Sequence, residues 1–97
     1  MREAAVDEEE TPEELVTALR EAIARSCEVD LARVSQRTRL DALGMDSLAA
    51  AEVVTDVEIR LGVELPPDIL RQLARAETVG DVLDHFRAAL ATRASPA

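Results

Sequence analysis

The chain has 97 residues, which is the size of one small domain. Its formal net charge of −9 disfavours contact with nucleic-acid phosphates and anionic membranes, and favours protein partners with basic surfaces. A single cysteine excludes an intramolecular disulfide, and no apolar run is long enough to span a membrane. Since no secretory signal is visible either, we expect a cytoplasmic protein with no nucleic-acid and no membrane partner.

Both ends of the chain are predicted to lie outside the folded domain. Residues 1–10 contain four consecutive acids, and residues 92–97 end in Ser-Pro-Ala, so both segments are expected to be disordered. The predicted domain therefore spans residues 11–91. A first residue Met and an end soon after the last helix are what we expect of a free-standing protein.

The first predicted helix begins with a capping-box pattern from Thr11 to Glu14 and ends near Cys27, which is expected to be buried. A long connection, residues 28–46, follows it. Asp30 is expected to cap a short turn within this connection. The apolar stripe of the helix comprises Leu15, Leu19, Ala22 and Ile23. The residues expected to hold the connection against the core are Val29, Leu31, Val34, Leu40 and Leu43.

The second predicted helix begins at Ser47, runs to about Leu61 and ends at Gly62. Either Asp46 or Ser47 is its cap. Its apolar face comprises Ala50, Val53, Val54, Val57 and Leu61, and its polar residues include Glu52, Thr55, Asp56 and Arg60.

Two further helices complete the prediction. A short third helix over about residues 68–74 follows two prolines, and the fourth helix follows Thr78, whose hydroxyl can cap together with Asp81. Gly80 is expected to weaken the fourth helix slightly. The buried stripe of this helix comprises Val79, Val82, Leu83, Phe86 and Leu90. The predicted fold class is thus all-α, a four-helix bundle with a long loop between helices 1 and 2 and a short helix 3.

The most informative stretch is Leu-Gly-Met-Asp-Ser-Leu at residues 43–48. Gly44 permits a sharp turn, and Asp46 places a carboxylate at the positive end of the helix dipole. Met45 and Leu48 belong to no predicted buried stripe. Local chemistry alone favours an ordinary capping pair, but a solvent-facing Ser47 between apolar residues is also accessible to another protein's active site.

This stretch resembles the attachment motif of acyl carrier proteins, and similar features continue over about residues 12–90. The resemblance implies that Ser47, flanked by Asp46 and Leu48, carries 4′-phosphopantetheine added by a phosphopantetheinyl transferase. It further implies a monomeric carrier that is not itself an enzyme. Its expected partners are the acyl-loading, elongating and releasing enzymes of a biosynthetic pathway.

The resemblance also implies that the second helix docks onto partner enzymes. Ala49 stands where an acid is common in this family, and Ile59 and Arg60 interrupt the later acidic run. A less acidic face indicates polyketide or other specialised biosynthesis rather than primary fatty-acid synthesis. The predicted docking residues are Met45, Leu48, Glu52, Asp56, Glu58 and Ile59. In the family the gap between the second and third helices can shelter an acyl chain, although core packing is favoured here for Val53, Val57, Leu65, Ile69 and Leu73.

Two other functions stay open at this point. A peptidyl carrier would be expected to have a second glycine where Met45 stands. A carrier-like interaction module would bind partners through its acidic face without using Ser47. An enzyme is disfavoured because no base is placed to activate a nucleophile, and the single His85 has no catalytic or metal-binding partner.

Overall fold

A computed structural model describes residues 13–94, with side chains through residue 91. Its four α-helices are α1 (Glu13–Cys27), α2 (Ser47–Leu61), α3 (Ile69–Leu73) and α4 (Val79–Ala94). No strand occurs within this range, which confirms the all-α bundle. None of the described helices is long and apolar enough to cross a membrane.

Helix α2 has the bounds that its local sequence predicts. Asp46 is the cap: its backbone is extended, and its Oδ1 accepts a hydrogen bond of 2.9 Å from the Ala49 amide. At the other end Gly62 adopts a left-handed conformation with φ 66°, which a side-chain-bearing residue rarely adopts. Both signals act within one turn of the helix, so the sequence alone predicts the two ends.

The core is formed by the apolar stripes of all four helices. The four predicted stripe residues of α1 are buried, and the only aromatic residue, Phe86 of α4, is fully buried. Helices α1 and α2 run antiparallel, because Glu21 and Arg25 of α1 pair with Arg60 and Asp56 of α2 respectively. Burial also confirms the packing role predicted for Val53, Val57, Leu65, Ile69 and Leu73.

The connection between α1 and α2 is ordered by a side chain of α1. Arg20 donates through Nε to the Val34 carbonyl at 2.6 Å and through Nη2 to the Leu31 carbonyl at 3.0 Å. Val34, Leu40 and Leu43 are buried as predicted. The prediction for Leu31 was wrong: its carbonyl is held by Arg20, but the residue is 40% exposed. Asp30 was also wrongly predicted as a cap, because its side chain makes no capping hydrogen bond.

The same connection is attached to the start of α4. The amides of Val79 and Gly80 donate to the carbonyls of Thr38 and Gln36, each at 2.9 Å. A Cβ atom on Gly80 would lie 3.0 Å from the Gln36 oxygen, which is closer than ordinary contacts. Gly80 therefore allows the loop and the helix to approach, whereas the sequence had suggested only a weakening of the helix.

Two helices differ from the prediction at their ends. Helix α3 is one residue shorter at each end, and Asp68, which precedes it, makes no side-chain capping bond. Helix α4 continues to Ala94, three residues past the predicted domain boundary. The predicted disorder of residues 1–10 and the predicted cap Thr11 lie outside the described residues, as do residues 95–97.

Candidate attachment and docking site

Ser47 is exposed at the first position of α2. A single turn of 3₁₀-helix, Asp41–Leu43, precedes it and ends at Gly44, whose φ of 74° is left-handed. The Met45 amide then donates to the Leu40 carbonyl at 3.1 Å, so the chain folds back before the helix begins. The loop thus places the Ser47 hydroxyl at the end of the bundle, where it has no hydrogen-bond partner among residues 13–94.

The first turn of α2 retains two unpaired backbone donors. Asp46 satisfies the amides of Ala49 and Ala50, the first through its side chain and the second through its carbonyl, both at 2.9 Å. The amides of Ser47 and Leu48 have no acceptor within residues 13–94. Free amides and the positive end of the helix dipole favour an anion beside the Ser47 hydroxyl.

A cavity of about 400 Å³ adjoins Ser47. One wall is formed by the residues around the start of α2, and the opposite wall by α3 and the residues that follow it. Ligand pockets in proteins are commonly of this size. The lining residues are Leu40, Asp41, Met45, Asp46, Ser47, Ala50, Leu70, Leu73, Ala74 and Ala76. The contribution of Leu70, Ala74 and Ala76 was not predicted, because no local pattern indicates that α3 lies across from Ser47.

The three predicted apolar docking residues differ in their exposure to solvent. Leu48 and Ile59 are 69% and 74% exposed, and their spacing of eleven residues is close to three helical turns, so they share one face. Exposed Glu52 lies between them on this face. Met45 is different: although it belongs to no predicted buried stripe, it is half-buried and packs against the core, so it is not an exposed docking residue.

Two of the three predicted docking acids have partners inside the protein. Asp56 is half-buried and forms an ion pair with Arg25. Glu58 is also half-buried, and its Oε2 accepts a hydrogen bond of 2.8 Å from the Leu65 amide in the link to α3. Ala49, where an acid is common in the family, is buried here and does not contribute to the outer face.

Cys27 is not activated as a reactive thiol. Cys27 is half-buried rather than buried, which corrects the prediction. Partial burial raises the pKa of the Cys27 thiol, and the nearby Asp46 carboxylate raises it further, so the reactive thiolate is disfavoured. Among the residues that the structure describes, no group of His, Cys, Asp and Glu side chains could hold a metal ion.

The sequence is similar to a known family and to several known proteins. The family model of the phosphopantetheine attachment site matches residues 17–86. An acyl carrier protein of Acidothermus cellulolyticus is 35% identical over 75 residues, which are 76% of this chain and 86% of that protein. The meromycolate extension acyl carrier protein of Mycolicibacterium smegmatis is 31% identical over 78 residues, 79% of this chain and 76% of that protein.

A further similarity is to a small part of a large enzyme. An orsellinic acid synthase of Beauveria bassiana is 37% identical over 62 residues, which are 64% of this chain but only 3% of that synthase. The extent of the family match and the coverage of the free acyl carrier proteins are sufficient to assign the chain. It belongs to the acyl carrier protein family, whose members carry covalently attached 4′-phosphopantetheine.

Proposed function

We propose that Ser47 is the attachment residue and that this carrier serves polyketide or related specialised biosynthesis. The observation that carries the first part is the exposed Ser47 hydroxyl at the start of α2, which has no hydrogen-bond partner in the described part of the chain. The site fits the group on two further grounds. The amides of Ser47 and Leu48, which have no acceptor within residues 13–94, can donate to a phosphate beside the hydroxyl, and the adjoining cavity is lined in part by apolar residues.

The residues around Ser47 have separate tasks in this proposal. The Ser47 Oγ is the acceptor of the phosphopantetheinyl group, and a separate transferase supplies the catalysis. Asp46 satisfies the Ala49 amide and thereby fixes the helix start, so the amides of Ser47 and Leu48 remain available to the phosphate oxygens. Once attached, the group supplies a thiol that holds acyl chains as thioesters. Leu48 presents an apolar surface beside the attachment point.

Support for a specialised pathway comes from the outer face of α2. An acid-rich docking helix would attract basic patches, but of the three predicted docking acids only Glu52 is both exposed and without an ion-pair partner among residues 13–94. The similarity to part of an orsellinic acid synthase agrees with this proposal. Loading the modified carrier with acyl donors and with amino acids, each with its own loading enzyme, tests the acyl class against a peptidyl carrier.

The intact mass of the protein tests the attachment residue directly. The native chain is incubated with coenzyme A, Mg²⁺ and a broad-specificity phosphopantetheinyl transferase, beside the variants Ser47→Ala and Ser35→Ala. Ser35 is a matched control because it is also exposed but lies in the loop. We expect a gain of one phosphopantetheine on the native chain and on Ser35→Ala, and none on Ser47→Ala.

Either of two results would contradict this assignment. A gain that persists in Ser47→Ala would place the group elsewhere. No gain on folded native protein would favour a docking module that is never modified.

A further inference from the structure

The outer face of α2 is nearly neutral, although the chain as a whole has a net charge of −9. Leu48, Glu52, Thr55 and Ile59 follow one another at spacings of four, three and four residues, so they form one exposed stripe. Glu52 is the only charged member of this stripe. The stripe begins next to Ser47, so an enzyme that reaches Ser47 along α2 must contact it.

Two arginines pair with acids at the contact between α1 and α2, and one of these acids, Asp56, lies beside the stripe. Arg25 of α1 forms an ion pair with Asp56, and Arg60 donates to Glu21 of α1 at 2.6 Å between Nη1 and Oε1. Both pairs join α1 to α2 across their shared surface. An adjacent positive and negative charge largely cancel each other's field at distances beyond their separation, so neither acid attracts a basic partner strongly.

A groove lies beside the stripe, and Arg25 forms part of it without covering its apolar residues. Its volume is about 520 Å³, and the Arg25–Asp56 pair forms part of its lining. Ala51 and Ile59 contribute the apolar part of the lining. The groove therefore suits an apolar side chain of a partner, with one basic group opposite Glu52.

We propose that Arg25 and Arg60 are specificity-determining residues of this carrier. They mask Asp56 and Glu21, so that the transferase that modifies Ser47 docks through apolar contacts with Leu48 and Ile59 rather than through basic residues. The partner surface is thus apolar with a single basic group. This inference rests on the proposed attachment at Ser47 and adds the chemistry by which the enzyme recognises the carrier.

The docking mode is tested by steady-state kinetics of phosphopantetheinyl transfer to the full chain, with the same broad-specificity transferase as above. For Leu48→Ala and Ile59→Ala we expect KM for the carrier to rise roughly fivefold to tenfold with kcat nearly unchanged, because apolar area buried at the interface is lost. Leu31→Ala is the matched control, since Leu31 is an exposed leucine outside α2, and its KM should stay native. For the native chain, KM should change less than about twofold between about 50 and about 300 mM NaCl.

If Arg25 and Arg60 mask these acids, replacing both arginines should strengthen the docking of the transferase. In the double variant Arg25→Gln, Arg60→Gln, the unpaired Asp56 and Glu21 should lower KM by about threefold at low salt and make it strongly salt-dependent. Arg87→Gln removes an ion pair with Asp84 on α4 and serves as the control, with native KM and native salt dependence. Because ion pairs at or near the surface contribute little to stability, these variants should remain folded.

Several results would overturn the inference. Native KM that rises steeply with salt, or that rises more for Glu52→Gln than for Leu48→Ala, would show docking driven by charge. Unchanged KM in the apolar variants, with normal modification of Ser47, would refute the docking surface and leave the attachment intact. No modification of the native chain would refute the attachment itself. A native dimer that Ile59→Ser dissociates, measured by light scattering, would show that the stripe binds a second copy.

Discussion

Helices α2 and α4 begin with the same capping chemistry but in different surroundings. In each, a side-chain oxygen of the residue before the helix accepts the amide of the third helical residue: Asp46 accepts from Ala49, and Thr78 accepts from Asp81. At α4 the amides of the first two helical residues are also satisfied, because loop carbonyls accept hydrogen bonds from Val79 and Gly80.

At α2 the corresponding two amides, those of Ser47 and Leu48, have no acceptor within residues 13–94. The start of α4 is therefore completed by protein, whereas the start of α2 leaves two amides open to solvent or to the phosphate that we propose there. A capping motif read from sequence does not distinguish these two cases, since it describes only the residues of the turn itself. The difference lies in what packs against the helix end.

The largest expected effect is at the contact between the loop and α4. In Gly80→Val the new side chain would meet the Gln36 carbonyl, separate the loop from the helix and leave hydrogen-bonding groups unpaired. We expect the free energy of unfolding to fall by about 2 kcal/mol, measured by urea denaturation. Ala91→Val, at an exposed position of the same helix, should cost well under about 1 kcal/mol. Equal losses in both variants would show that the close approach has no energetic importance.

A smaller effect compares the two helix starts directly. Thr78→Ala removes the acceptor of the Asp81 amide and should cost about 1 kcal/mol of stability. Ser47→Ala removes no hydrogen bond within residues 13–94 and should change stability by less than about 0.5 kcal/mol, while abolishing modification. Thermal or chemical denaturation of both variants checks this. A comparable loss in Ser47→Ala would make Ser47 a structural cap and would remove the contrast between the two helices.

The smallest expected effect is a pH dependence at α4. Backbone amides of Glu77 and Thr78 donate to the Asp81 carboxylate and hold its pKa below the ordinary value. Because the pKa is lower in the folded state, ionised Asp81 stabilises the fold above its unfolded-state pKa, and this stabilisation is lost as the pH falls through the folded-state pKa. The stability difference between the native chain and Asp81→Asn should therefore shrink below about pH 4. A difference that persists unchanged at lower pH would contradict this.

Much of the candidate site was predictable because its signals are local. Asp46 and Gly62 fix the ends of α2 within one turn of the helix, and the same local chemistry joins Thr78 to Asp81. Helical spacing likewise identified most of the buried stripes, because it reports which side of a helix is apolar. Leu90, predicted to be buried, is only half-buried against the core. Leu31 lies in the connection between two helices, where no helical spacing indicates which side chains face the core. Its burial was therefore predicted wrongly.

The sequence by itself therefore determined the helices, their apolar faces and the position of Ser47 at the start of α2. Only the tertiary structure decided which acids remain available to a partner, because Arg25 and Asp56 are 31 residues apart and meet only when α1 packs on α2. It also decided the role of Gly80, whose neighbour Gln36 belongs to a distant loop. Capping and periodicity act over a few residues, whereas charge pairing and close approach depend on which surfaces the fold brings together.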